Sequence, residues 1–457
     1  MLYPEYHKNA FAQRRQNLLQ NLKDSHPFLI ILYNSPVYPM GADAHYPYRA
    51  DSSFFYMTGF QEEESVALLW SDGKKSRYQL FVRPRDPKME QWNGLRAGPE
   101  GAKNTFMADE AFPIHELDNQ VQDWFRKLPK GSLPKIYSNF STHPKLFEKF
   151  RSTLTKAQEA VHGDTRIGLA EASAYIEILP YIRALRLIKD SHEVKELRES
   201  SKINVQAHLQ LMEELKPGMF EYQAQAIIEK VYIENGCRGP GYSSILGSGP
   251  NAAILHYHEN NRQMKEGEML LADCGCEFRM YQSDITRTLP VGNTFTPHQR
   301  KLMDIVHEAK KAAIDVCREG YTRMDIHRTA SLSLIEGLKS LKILKGPTDK
   351  IFEKRDHFKY YPHGTGHWLG LDVHDPAPCF ENGTDVKLKA GNVLTVEPGL
   401  YFMENDTTVP KEFRGLGVRL EDDIVVQAKG KAPENLTGDL PSTWQDIERV
   451  KKTFSGR

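Results

Sequence analysis

Residues 269–291 read MLLADCGCEFRMYQSDITRTLPV, two short runs rich in β-formers, each carrying one aspartate. A carboxylate in apolar strand text costs free energy unless it is paired or holds a cation, so Asp273 and Asp284 demand a physical reason. Eleven residues separate them, and an antiparallel hairpin centred between Phe278 and Arg279 predicts that they stand directly opposite each other on one face. Like charges so placed repel, and a bound metal ion is the economical explanation.

Two further acids sit in strand-like text, Glu397 in LTVEPG and Glu421 in VRLEDDIVV, and the polar, irregular stretch between them allows a second pairing of the same kind. Any one of the four has an ordinary reading as a salt bridge or strand end; four together do not. Histidine completes the pattern in YPHGTGHWLGLDVHDP, where His363, His367 and His374 fall among glycines that permit close backbone approach. His256 in ILHYHEN is a fourth candidate, and in an extended segment its neighbour His258 points the other way. Spacing does not choose among the histidines. Four carboxylates and one imidazole suit manganese, with cobalt, iron or zinc also compatible. Five ligands overfill one open site, whereas two ions roughly 3.5–4 Å apart, sharing bridging carboxylates, use them all and perform hydrolysis.

A chain of 457 residues exceeds what one core usually supports. Residues 1–180 alternate apolar runs (FLIIL, SVALLW, YQLFV) with helical stretches and read as an α/β domain. Residues 190–457 read as an α+β domain. It opens on Asp190 and Glu193, a capping-box start for a helix bearing Val194, Leu197, Val205, Leu209 and Met212 and stopped by Pro217-Gly218. Further helices are predicted over Glu221–Asn235, closed by Gly236, and over Pro297–Arg318. Lys plus Arg equals Asp plus Glu, at 60 each, which gives no electrostatic reason to expect a nucleic-acid or anionic-membrane partner. The start, MLYPEYHKNAFAQRRQNLLQ, lacks the apolar core of a secretory signal, and no run of about 18 apolar residues occurs, so a cytoplasmic location is expected. Five cysteines form no disulfide pattern; Cys274-Gly-Cys276 has no partner pair at zinc-site spacing and reads as buried strand.

Taken in order, YSSILGSGPNAAILHYHEN, DCGCEFRMYQSDITRTLPV, HGTGHWLGLDVHD, LTVEPGLY and RGLGVRLEDDIVV resemble the Xaa-Pro aminopeptidases, relatives of prolidase and methionine aminopeptidase. YRADSSFFYMTGF and FVRPRDPKMEQWNG extend the resemblance over nearly the whole chain. It implies a creatinase-N-like α/β domain followed by an α+β pita-bread catalytic domain. It also implies the ligands Asp273, Asp284, His367, Glu397 and Glu421, with Asp284 and Glu421 bridging two ions. A metal-bridging hydroxide would attack the carbonyl before proline in the second position, with Glu397 taking the proton and the substrate's free amino terminus near Asp273. His374 and His256 would stabilise the oxyanion, and His363 and His256 would line the proline pocket. Arg419, on the strand face of Glu421, and Tyr401 would orient ligand or substrate. Trp92 matches an aromatic residue reaching a neighbouring subunit's cleft, which implies a homo-oligomer, dimer or tetramer.

After VHD the chain departs from the usual pattern with PAPCFENGTDVK, one residue longer, beside the cleft. A prolidase-type dipeptidase would use the same ions; FFYMTGF and RPRDPKMEQWNG favour the aminopeptidase, and the extra N-terminal domain argues against methionine aminopeptidase. Non-catalytic or metal-free pita-bread relatives would have lost ligands, and all five ligand positions here can coordinate.

Overall fold

The computed structural model describes residues 6–129, 132–161 and 174–455, so the outermost residues of the two expected domains, 1–5 and 456–457, lie outside the described residues. The chain divides into two units, residues 1–185 and 186–457. In the first, β1 (Phe28–Tyr33), β2 (Val66–Ser71), β3 (Ser76–Val82), β4 (Glu110–Pro113), β5 (Lys135–Ser138) and β6 (Ala174–Glu177) form one sheet in the order β4-β3-β2-β1-β5-β6. The three apolar runs are β1 to β3. β1 is buried throughout, as a continuous apolar strand in mid-sheet requires, and lies antiparallel to β2 and parallel to β5. Val121, Phe125, Phe150 and Leu154, from the helices Leu117–Lys127 and Pro144–Val161, pack on Leu29 and Ile31. Trp92, in the short helix Pro87–Asn93, is 83% exposed.

The second unit opens with the helix Ser191–Glu214, whose Asp190 cap and Glu193 close the capping box that the sequence announces. The helix Glu221–Glu234 follows, with Gly236 at φ 76° in the left-handed conformation that glycine tolerates. The helix Pro297–Asp315 ends three residues before the expected Arg318. There the Val316 and Cys317 amides turn to the carbonyls of Ala313 and Ile314, a tightened last turn that closes the helix.

The hairpin comprises β8 (Met269–Cys274), β9 (Glu277–Phe278), β10 (Tyr281–Gln282) and β11 (Ile285–Pro290), with β7 (Ile245–Ser248) on the outer side of β8. Its turn differs from the expectation. Arg279 and Met280 occupy it at φ 49° and 75°, so Phe278 faces Tyr281 and Asp273 faces Thr286 rather than Asp284. The two-residue offset keeps both aspartates on one face, since side chains alternate with a period of two, but sets them diagonally.

After β12 (Phe380–Glu381) and β13 (Thr384–Asp385) come β14 (Val393–Val396), β15 (Gly399–Tyr401), β16 (Gly417–Arg419) and β17 (Asp422–Val425). Val396 pairs with Asp422 and Gly399 with Arg419, so one register runs through both ladders and puts Glu397 opposite Glu421 at the gap between them. Pro398, which has no N–H to donate, interrupts the ladder there. β11 is sewn to this second pair of strands: the Glu421 amide donates to the Thr286 carbonyl at 3.0 Å, and the buried Arg287 guanidinium donates to the Glu421 carbonyl and to Asp422, both at 2.6 Å. Lys310 completes a buried cluster on Asp422 at 2.5 Å. No helix among the described residues is long and apolar enough to cross a membrane.

Burial works against the Asp422 carboxylate, but Arg287 and Lys310 outweigh it and hold its pKa below the ordinary value. Asp422→Ala leaves two buried cations short of a counter-charge, and a loss of roughly 3–5 kcal/mol in urea unfolding at pH 7 is expected. A depressed carboxyl pKa stabilises above its unfolded value and loses that contribution as pH falls, so the gap between wild type and variant should close below about pH 4. A gap that widens in acid would exclude this account.

Candidate metal centre

Each acid reaches the centre from a place where regular pairing ends. Asp273 is the penultimate residue of β8, Asp284 immediately precedes β11, and Glu397 and Glu421 face each other at the ladder gap. His367 arrives on the glycine-rich segment, which runs against the end of β14. The Thr395 amide donates to the His367 carbonyl at 2.9 Å, and the Glu397 amide to the Thr365 carbonyl at 2.7 Å. A Cβ at Gly366 would lie 1.9 Å from the Thr395 carbonyl oxygen, so this approach requires glycine.

Ligand atoms of Asp284, His367 and Glu421 all lie within 4.8 Å of one another. His367 Nε2 stands 3.4 Å from Asp284 Oδ2 and 3.7 Å from Glu397 Oε1. Tyr242 ties in the remaining acid: its hydroxyl lies 2.5 Å from both Asp273 Oδ1 and Asp284 Oδ1, and can donate its single proton to only one at a time. These groups line a cleft of about 560 Å³ that also takes in His256, His363, His374, Arg323 and Arg419.

Burial, then the neighbouring acids, push the Glu421 carboxyl well above its usual range. Burial likewise raises Asp284, and pushes Glu397 up to about 7 against the charges of His367 and Arg419. Burial alone would depress His367, yet its hydrogen bond to Asp284 and the charge of Glu397 win and push it up to about 9. Burial, reinforced by neighbouring acids, thus works against the charged form of these carboxylates, and a cation beside them would favour it. An oxygen-rich donor set with one nitrogen fits a hard or borderline divalent ion.

Residues 195–428 match the metallopeptidase family M24, and residues 11–131 match the aminopeptidase P N-terminal domain. The chain belongs to metallopeptidase family M24. It is 36% identical to the Xaa-Pro aminopeptidase of Escherichia coli over 447 residues, 98% of each chain. Among solved structures it is similar to Pseudomonas aeruginosa aminopeptidase PepP, with a TM-score of 0.92 and 35% identity over 100% of both chains. It is also similar to Escherichia coli aminopeptidase P with the inhibitor Pro-Leu, with a TM-score of 0.90, 34% identity and 100% of both chains covered. The second unit is therefore an M24 pita-bread domain, the protein is a peptidase, and its centre is one for divalent metal ions.

Around this centre the structure rearranges several sequence expectations. Arg419, expected to orient Glu421 or to contact substrate, pairs with Asp273 and donates to the Tyr401 hydroxyl at 3.0 Å and to Thr286 Oγ1 at 3.1 Å. Thr286 in turn donates to Glu421 at 2.7 Å, so one relay spans both strand pairs. His363 Nε2 meets the Tyr401 hydroxyl at 2.8 Å; burial and the Arg419 charge push its pKa down to about 3, so it stays neutral. The His374 ring stands edge-on to that of His367, centroids 4.3 Å apart, and burial, with the His367 charge, lowers its pKa.

His258 was expected to turn away from His256. Leu255 and His256 lie in a turn and residues 254–258 hold no strand; the two rings lie nearly parallel, 6.2 Å apart, and both line the cleft. Tyr257 between them donates to the buried Glu221 at 2.8 Å, which anchors the turn. Tyr242, Thr286 and Arg323 escaped the sequence reading because a lone tyrosine, threonine or arginine carries no spacing signal. Cys274 and Cys276 are buried and unpaired, as strand residues.

Binding of a divalent cation at pH 7 must displace the protons that His367 and Glu397 hold without it. Calorimetric titration with manganese in phosphate and in Tris should therefore give enthalpies that differ by the release of roughly one proton or more per protein. Identical enthalpies in the two buffers would contradict the assignment of these groups to the cation site.

Proposed function

We propose that this chain is an Xaa-Pro aminopeptidase, releasing the first residue of peptides with proline in second position. The observation that carries this reading is the convergence of three buried carboxylates, the half-buried Glu397 and His367 in a chain that aligns end to end with Xaa-Pro aminopeptidases. Asp273, Asp284, His367, Glu397 and Glu421 would hold two divalent ions, with manganese as the preferred metal. The chemistry supplied by the bound ions is Lewis acidity toward the scissile carbonyl and a lowered pKa for water.

The remaining work falls to the chain's own side chains. Glu397 would take a proton from water and return it to the leaving proline nitrogen. His374 and His256 face the cleft and would donate hydrogen bonds to the oxyanion. His363, neutral and braced by Tyr401, with His256 would border a pocket for the proline ring, which offers no N–H of its own. Arg419 on Oδ2 and Tyr242 on Oδ1 hold the Asp273 carboxylate in place, and the substrate amino terminus would lie beside it. The N-terminal domain, residues 1–180, would govern substrate access and subunit assembly; the exposed Trp92 supports this reading, and with it a homo-oligomer. Free cysteines suit a cytoplasmic setting.

With manganese supplied, the tripeptide Ala-Pro-Gly should lose its alanine while the dipeptide Ala-Pro is left nearly untouched. The reverse preference would make the protein a prolidase, and cleavage of neither would sink the reading. His374→Ala should lower kcat by roughly 10²–10³ with bound metal retained, and Asp284→Asn should lose metal and activity together.

A further inference from the structure

A second cleft, of about 490 Å³, adjoins the catalytic one and shares Arg323, His363, Gly364 and Gly366 with it. Its far side is built by residues 355–358 and by the β12–β13 hairpin, whose turn is Asn382-Gly383 at φ 50° and 78°. Three large apolar side chains stand exposed at its edge: Met324 at 49%, Phe358 at 38% and Phe380 at 65%. Apolar groups gathered at a cleft mouth are the usual makings of a peptide-binding surface.

Its charge is one-sided. The described lining residues include Arg323, Arg355 and His327 against a single acid, Asp385. Arg323 is committed within the fold, donating to Cys379 Sγ at 2.7 Å and to the Gly366 carbonyl at 2.5 Å. Arg355 is exposed, lies over the Phe358 ring at 4.4 Å and makes no ion pair among the described residues. Burial lowers the His327 pKa, and the charges of His357, Arg355 and Arg323 lower it further, which accords with a positive field in this space.

We propose that this second cleft receives the part of the substrate beyond proline, and that it selects peptides carrying an acidic side chain two or three residues after the proline. The proposal rests on the aminopeptidase reading above. His363 stands at the junction, so a chain whose proline lies against it has the second cleft directly ahead. Phe358 and Phe380 take the peptide's apolar surface, and Arg355 takes its carboxylate.

The test uses full-length protein, manganese and two amidated pentapeptides, Ala-Pro-Gly-Gly-Glu and Ala-Pro-Gly-Gly-Lys, with Ala-Pro-Gly as the reference. At low ionic strength kcat/KM for the Glu peptide should exceed that for the Lys peptide by about fivefold, and salt should shrink the ratio. Arg355→Glu should invert the preference. Arg355 sits at φ 60°, where glycine is at ease, so Arg355→Gly removes the charge without backbone conflict and should bring the ratio to about one. Equal rates for the two pentapeptides in the wild type, or an unchanged ratio in both variants, would overturn the proposal while cleavage of Ala-Pro-Gly left the aminopeptidase reading standing. Failure to cleave any of the three would overturn that reading instead.

Discussion

Mutual repulsion among four carboxylates, three of them buried and Glu397 half-buried, is the constraint from which the architecture of the catalytic domain follows. No strand pair can carry such acids in mid-ladder without a cation, and none does: each emerges where hydrogen-bonded pairing stops or is about to stop. The ladder gap at Pro398 frees Glu397 and Glu421 from regular pairing, and the hairpin offset sets Asp273 and Asp284 diagonally, easing contact while keeping both on one face. Burial raises the pKa values of Asp284, Glu397 and Glu421, and the neighbouring acids add to the rise. A divalent ion turns this unfavourable cluster into a binding site, so metal affinity and local stability are two expressions of one energy.

Holding the acids against that repulsion takes a rigid surround, and it is built from charges that are themselves compensated. Arg287 and Lys310 close on Asp422 behind Glu421. Arg186 and Lys189 close on Asp375, at 2.8 and 3.1 Å, directly after His374. Glu221 accepts from Ser248, Tyr257 and the Arg262 amide, and so fixes the turn that presents His256 and His258. Each cluster touches the residue next to a cleft-lining group rather than the group itself. Position is thereby set without consuming the functional side chain's own hydrogen-bonding capacity.

Specificity is distributed over less ordered text. The long departure after VHD folds into an Asn-Gly hairpin that walls the second cleft, and its side chains, Phe380 and Asp385, face that space and not the metal site. The candidate metal-holding acids thus sit on or beside strands pinned from several sides, while groups that would discriminate among peptides sit on a hairpin and a short helical turn, where replacement costs the core little.

Much of this was legible in the chain itself, because burial leaves a chemical signature: acids within apolar β text are costly, and Asp273, Asp284, Glu397 and Glu421 could be picked out on that ground alone. Helix starts were equally plain where a capping box marked them, at Asp190 and Glu193. The choice of His367 among the histidines came from family resemblance, because nearness to an acid is a relation across the fold. The same holds for Arg419 turning to Asp273, for His258 sharing the cleft, and for Tyr242 bridging two aspartates. Sequence alone determined which residues could not be buried without a cation, since that is a property of each side chain and its immediate neighbours. Tertiary structure alone decided register, facing and partner, since a two-residue shift in one turn, invisible to composition or period, changes which side chain stands opposite which.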